Sequence, residues 1–229
     1  MSVNEPSIAS KPNLRASRPR PARRTQEERS TATRRQLVQA AIDTICDRGL
    51  ADATAARIAS RAKMTRGAVQ HHFGTRDDLL VAVIDNFAKK LFSRSDDPDM
   101  RGSSLEARVR DICDKYWSIV GSRHFIAVIQ VLLGLRNNPT VYRHLLDKMQ
   151  WFESELDRRW VELFQDLGIS PARLAVARHI ALASMRGLAI RMVYRKDRTR
   201  WAVEREFLRE MLTYALARSA AASEAASGI

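Results

Sequence analysis

Residues 54–76 read TAARIASRAKMTRGAVQHHFGTR, and this stretch decides the fold because it spells two short helices joined by a tight turn. Thr54 is placed to cap the first helix through a side-chain oxygen that accepts a backbone N–H. Ile58, Ala59 and Ala62 then form an inward stripe whose small members let a second helix cross closely. Lys63-Met64 makes the turn, with Met64 as its apolar plug. Thr65 caps the second helix, and Val69 and Phe73 fall four apart on its buried face. Arg66, Ala68, Gln70, His71 and His72 are left facing outward, a set of donors and a methyl group rather than carboxylates. A surface that approaches phosphates and base edges needs such a set. The layout is that of a helix-turn-helix, whose second helix enters the DNA major groove.

Working outward, a first helix ending in glycine (RRQLVQAAIDTICDRG, 34–49) precedes this unit. Thr75-Arg76-Asp77-Asp78-Leu79-Leu80 follows it. The order of these landmarks over residues 31–80 resembles the N-terminal domain of the TetR family of transcriptional regulators. Two positions depart from the family pattern: Lys63 stands where glycine is usual in the turn, and Gln70 stands where tyrosine is usual. A left-handed backbone at Lys63 would cost on the order of 1 kcal/mol or more. Gln70 can make a bidentate contact to adenine, which changes what is read rather than abolishing reading. Carried over residue by residue, the resemblance implies that Thr54 and Arg76 position the phosphate backbone and that Arg66, Gln70 and His71 reach base edges. Thr65, Ala68 and His72 share the interface, and the backbone N–H of Gly67 approaches closely because no side chain intervenes.

The bulk properties agree. A chain of 229 residues with 45% hydrophobic content can bury a sizeable core. A formal charge of +13 favours an anionic partner, nucleic acid first and an anionic membrane surface second. The first thirty residues are polar, proline-containing and arginine-rich, with no apolar stretch of the kind an export signal needs. Residues 1–30 are expected to be a disordered basic tail that adds salt-dependent attraction to DNA, or an arm that inserts arginine into an adjacent minor groove. The longest apolar run, 125–135, is too short to span a bilayer, so no membrane partner is expected. Cys46 and Cys113 have neither metal-ligand nor redox spacing and suit a reducing cytoplasm.

From residue 31 the pattern is helical throughout. Leu37, Ala41 and Ile45 recur at four-residue spacing in the first helix. Thr75 can cap a fourth helix reaching to about residue 94, with the continuous stripe Leu80, Val83, Ile84, Phe87 and Leu91. A loop is expected at 96–103. Further helices are expected at about 104–120, 124–137, 139–167, 170–194 and 200–221, broken at Gly121-Ser122, Asn138-Pro139, Gly168 to Pro171 and Asp197 to Thr199. No segment alternates as a strand does. The fold class is therefore all-α with about nine helices: a three-helix DNA-binding domain at 31–76 and a C-terminal effector-binding and dimerisation domain at 77–229.

The resemblance implies that this second domain senses a small molecule and forms a homodimer. The last two long helices carry apolar and small residues suited to pairing with their symmetry mates: Leu174, Ala177, Ile180, Ala181, Ser184 and Leu188 on one, and Phe207, Leu208, Met211, Leu212 and Ala215 on the other. The same faces could instead close an intrachain core. Aromatic and methionine residues of the middle helices suggest an effector cavity: Phe87 and Leu91, Tyr116 and Trp117, Phe125 and Ile129, Trp151 and Phe152, and Met185 and Met192. Such a lining suits a small apolar or amphipathic effector. Arg186 and Arg191 could hold a ligand carboxylate or form solvent-facing ion pairs.

Signals for catalysis are weak. His71 and His72 are adjacent, about 100° apart around the helix, and do not converge on one metal. Acidic pairs such as Glu27-Glu28 and Asp96-Asp97 fall in the tail or loop, and there is no nucleophile elbow, no HExxH and no glycine-rich phosphate cradle. Neither catalysis nor a cofactor is expected. The reading is a cytoplasmic, ligand-responsive regulator, a repressor, that binds a palindromic double-stranded DNA operator. Two classes stay open beside it: a nonspecific nucleic-acid-binding or nucleoid protein, and a helical enzyme with a basic tail.

Overall fold

The computed structural model describes residues 25–93, 103–194 and 198–227. Among these, nine α-helices and one 3₁₀ turn account for the regular structure: α1 Gln26–Arg48, α2 Ala55–Arg61, α3 Arg66–Phe73, α4 Arg76–Leu91, α5 Leu105–Val120, α6 Arg123–Leu135, α7 Pro139–Phe164 with the 3₁₀ turn Gln165–Leu167, α8 Pro171–Arg191 and α9 Arg198–Ser227. The all-α class read from periodicity is the class observed.

Local chemistry explains where the helices start. Each of α1 to α8 follows a Ser, Thr or Asn whose side chain accepts a backbone N–H of the first turn: Thr25, Thr54, Thr65, Thr75, Ser104, Ser122, Asn138 and Ser170. Proline occupies the first position of α7 and α8, where its missing N–H costs nothing. α4 has a full capping box, with Thr75 and Asp78 bonded reciprocally, and Asp77 and Asp78 oppose the helix dipole.

One boundary needs correction. Helix α1 begins at Gln26 rather than at residue 31, so the tail expected at 1–30 gives up its last five residues to the DNA-binding unit. Thr25 and Glu28 form a capping box, and that local signal overrides the polar, arginine-rich composition of the segment. The rest of the tail, including the expected minor-groove arm, and most of the loop expected at 96–103 lie outside the described residues. The other ends shift by a few residues: α4 stops at Leu91, α6 at Leu135 and α8 at Arg191, while α9 runs on to Ser227.

A single hydrophobic core runs from the N-terminal helices through the whole bundle. α1 packs on α2, α4 and α6, so the three-helix unit is fused to the larger bundle rather than tethered to it. α8 packs between α7 and α9, and α9 also lies along α5. Several residues expected at a dimer interface belong to this core instead: Leu174, Ala181 and Leu212 are buried against their own chain. No helix among the described residues is long and apolar enough to cross a membrane on its own.

Candidate functional site

α2 and α3 form the expected helix-turn-helix. Ile58, Ala59, Ala62, Val69 and Phe73 are buried as their spacing requires, and Met64 is half-buried against the same core. The backbone of Lys63 is left-handed at φ +56°, the only such non-glycine residue described. Its N–H bonds to the Ser60 carbonyl at 3.0 Å and that of Met64 bonds to Ala59 at 2.9 Å, which fixes the turn despite the strain.

The outward face of α3 carries Arg66, Gly67, Gln70 and His71, all exposed, with Ala68 and His72 half-buried at its edges. Gly67 has no internal reason to be glycine: a Cβ there would meet only Thr65 Oγ1, at 3.7 Å, and its φ is not left-handed. Glycine inside a helix costs about 1 kcal/mol relative to alanine. What it provides is bare backbone on the exposed first turn. Thr54 and Thr65 are exposed, and each hydroxyl oxygen accepts a cap bond at 3.3 Å while its proton remains for an outside acceptor.

α3 is held from behind by residues that periodicity alone does not mark. Arg34 of α1 lies over the Phe73 ring at 4.2 Å and donates to the His72 carbonyl, and Gln36 donates to the Ala62 carbonyl at 2.8 Å. Desolvation, together with the neighbouring charges of His71 and Arg34, lowers the His72 pKa.

Arg76, expected at the phosphate backbone, also bonds within the fold. Its Nε donates to the Ala53 carbonyl at 2.7 Å and Nη2 to the Leu50 carbonyl at 2.7 Å, with Asp77 at 3.6 Å. The guanidinium bridges two carbonyls of the α1–α2 loop, one of which, that of Leu50, also accepts the Ala53 N–H at 3.1 Å. These two bonds tie the start of α4 to the loop before α2.

Behind this unit a cavity of about 110 Å³ lies between α4, α6, α7 and α8. Five of the ten residues expected around an effector line it: Phe87, Leu91, Phe125, Ile129 and Phe152. The other five do not. Tyr116 accepts a bond from Trp160 Nε1 at 3.2 Å, and its phenol is pushed up to about 12 by burial. Trp117 stacks under Arg205 at 4.9 Å, Trp151 is mostly exposed against Phe92, Met185 is core, and Met192 lies past the end of α8. Helical spacing cannot separate these cases, because core and cavity walls share the same stripe. Glu153, not singled out from sequence, joins Arg186 on the cavity wall, whereas Arg191 pairs with Glu204 at 3.0 Å. No group of three or more His, Cys, Asp or Glu able to hold a metal occurs among the described residues.

Beyond the core, α8 and α9 leave apolar side chains uncovered. Val176, Ile180, Phe207, Met211 and Tyr214 are each more than half exposed, beside a shallow groove of about 190 Å³ that Ala177, Leu208 and Ala215 help to line.

Residues 37–83 match the family described as bacterial regulatory proteins, tetR family. The chain is similar to the HTH-type transcriptional regulator CymR of Pseudomonas putida, with 23% identity over 181 residues, 79% of this chain and 89% of CymR. It is 60% identical over 51 residues to the HTH-type transcriptional regulator BetI 1 of Chromohalobacter salexigens, a match that spans 22% of this chain and only 25% of that protein. Among solved structures, a transcriptional regulator from Rhodococcus sp. Rha1 superposes with a TM-score of 0.61 at 18% identity, covering 81% of this chain and 95% of that one. The family match is confined to residues 37–83, and identity is 18–23% where a match spans most of the chain.

Proposed function

The chain belongs to the tetR family of bacterial regulatory proteins through its N-terminal domain, and from that premise we propose that it is a cytoplasmic, homodimeric repressor that binds a palindromic operator and is released by a small effector. The observation that carries the reading is α3: an exposed, capped helix whose outward face is Arg66, Gln70 and His71 around a glycine that packing does not require. Arg66 bidentate to guanine and Gln70 bidentate to adenine each supply about 1–3 kcal/mol of discrimination. Thr54, Thr65 and the open N–H groups of the first turn hold phosphates.

The uncovered apolar face of α8 and α9 supports pairing with a second copy. Two recognition helices related by a two-fold axis read half-sites about 34–36 Å apart. α4 begins beside α3 at Arg76 and presents Ile84, Phe87 and Leu91 to the cavity, so a ligand that displaces it changes the spacing of the two heads. The coupling available to such a ligand is its differential affinity for the two states, typically about 1–3 kcal/mol.

Selection of bound sequences from a random double-stranded DNA pool tests this reading, with an Arg66→Ala, Gln70→Ala variant in parallel. Enrichment of a palindrome that the variant loses is the expected result. Binding without enrichment, vanishing as salt rises, would instead mark a nonspecific nucleic-acid binder driven by the charge of +13.

A further inference from the structure

The cavity between α4, α6, α7 and α8 is apolar except on one wall, where Glu153 of α7 and Arg186 of α8 meet it. The two are not equivalent. Glu153 Oε2 already accepts from Arg178 Nη1 at 2.7 Å, and Asp157 Oδ1 accepts from Arg178 Nε at 2.7 Å. Arg178 has no side-chain exposure, so its guanidinium is neutralised in place by two carboxylates through short, charge-assisted bonds.

Arg186 stands differently. Its one ion pair among the described residues is with Glu153 Oε1 at 3.7 Å, a carboxylate already engaged elsewhere and beyond hydrogen-bond reach. The side chain is 39% exposed at the cavity's edge. A guanidinium offers five donors in a planar fork and no acceptor. The unmet hydrogen-bonding capacity of this wall is therefore mostly donor capacity, the N–H fork of Arg186 against the single oxygen Glu153 Oε1, which no hydrogen bond among the described residues engages. A ligand bringing an acceptor adds bonds at the Arg186 fork, while a ligand bringing a donor finds only Glu153 Oε1, which already faces the Arg186 charge at 3.7 Å.

The geometry points to a compact monocarboxylate as the effector, its carboxylate bound in the fork of Arg186 and its hydrocarbon body between Phe87, Phe125 and Phe152. This assignment rests on the reading of the cavity as the effector site and adds the ligand's chemical class. About 110 Å³ limits the enclosed part of the ligand to no more than a single ring or a short alkyl chain, being smaller than the apolar void of about 150 Å³ that admits benzene. Phe87 and Phe125, with centroids 6.0 Å apart and planes inclined by 38°, form two walls of that space.

The test uses the full chain with benzoate and hexanoate, their neutral counterparts benzyl alcohol and 1-hexanol, and the cation benzylammonium. Each is read by calorimetric affinity and by release from the selected operator. The carboxylates are expected to bind about tenfold or more tighter than the alcohols, the scale of a hydrogen bond to a charged group. Arg186→Gln should erase that preference, and Arg186→Lys, which keeps the charge but not the fork, should retain part of it. Equal binding of the alcohols, preference for benzylammonium, or no response to any probe overturns the assignment. Operator selection without probe is run on the same protein. A wrong ligand class leaves the palindrome intact, and a wrong regulator reading removes the palindrome but leaves any carboxylate binding in place.

Discussion

The Arg34 guanidinium of α1 lies 4.2 Å above the ring of Phe73, the last residue of α3, and the same side chain donates to the His72 carbonyl. The recognition helix is thus fastened at its C-terminal end to a helix that itself packs on α4 and α6. An exposed cation–π contact contributes about 0.5–1 kcal/mol, and a charged hydrogen bond to a carbonyl about as much again or more. Arg34→Ala is expected to lower stability by about 1–2 kcal/mol and to weaken operator binding while leaving the selected sequence unchanged. Chemical denaturation and a repeat of the sequence selection check both halves.

Arg76 separates structure from DNA contact. Arg76→Ala strips two carbonyls, those of Ala53 and Leu50, of their 2.7 Å donor. A loss of roughly 2 kcal/mol follows, about 4–8 °C in melting temperature for a chain of this size. The salt dependence of DNA binding should not change. A slope reduced by about one would instead return Arg76 to the phosphate contacts.

Lys63→Gly relieves a left-handed non-glycine residue at φ +56°. The expected gain is about 1 kcal/mol in stability. Because Lys63 is exposed beside α3, the same variant should bind DNA more weakly at low salt. Denaturation midpoints and affinities at two salt concentrations report the two effects separately.

His124 sets a pH dependence. Burial, and then the Lys90 ammonium 3.2 Å from its Nδ1, lower its pKa from 6.5 to about 4. The unfolded chain takes up this proton as pH falls through about 6.5, whereas the folded chain resists until about 4. Stability is therefore full above that window and falls within it, by roughly 2 kcal/mol at pH 5. Melting temperatures between pH 7 and pH 5 should fall more steeply for the native chain than for His124→Gln. Glu155, held down to about 2 first by Arg158, acts in the same direction at lower pH: its share of stability is lost as pH falls from the ordinary carboxylate value of 4.5 towards 2.

Ile180→Glu with Met211→Glu places two charges on the uncovered face of α8 and α9, where both native side chains are more than half exposed. A monomer with near-native melting is expected, with affinity for the full palindrome reduced far more than affinity for a half-site. Sedimentation shows the first effect and titration with the two DNAs the second. A variant that stays dimeric would move the interface elsewhere.

What could be read from sequence divides along a physical line. The caps at Thr54, Thr65 and Thr75 and the stripe from Leu80 to Leu91 are local, so spacing alone placed α2, α3 and α4 within a few residues. Thr25 escaped because the composition of the tail outweighed a four-residue capping box. The cavity wall was only half legible. Phe87 and Phe125 face a void while Tyr116 and Met185, on equally regular stripes, face other side chains, and that difference is set by how four helices cross rather than by any one of them. The bonds of Arg76 were not legible for a related reason: whether a guanidinium meets a carbonyl depends on a loop 23 residues away.

That loop has one further consequence. The N–H of Leu50 donates to Gln130 of α6 at 3.1 Å, its carbonyl takes Arg76 of α4, and its side chain fills the notch at Gly134, where even a Cβ would come within 2.0 Å of it. Three pins in one residue make a welded corner, not a hinge. If a ligand moves this block, the helix-turn-helix, α4 and α6 are expected to move together against α7 and α8, and the displacement at α3 grows with its distance from that seam.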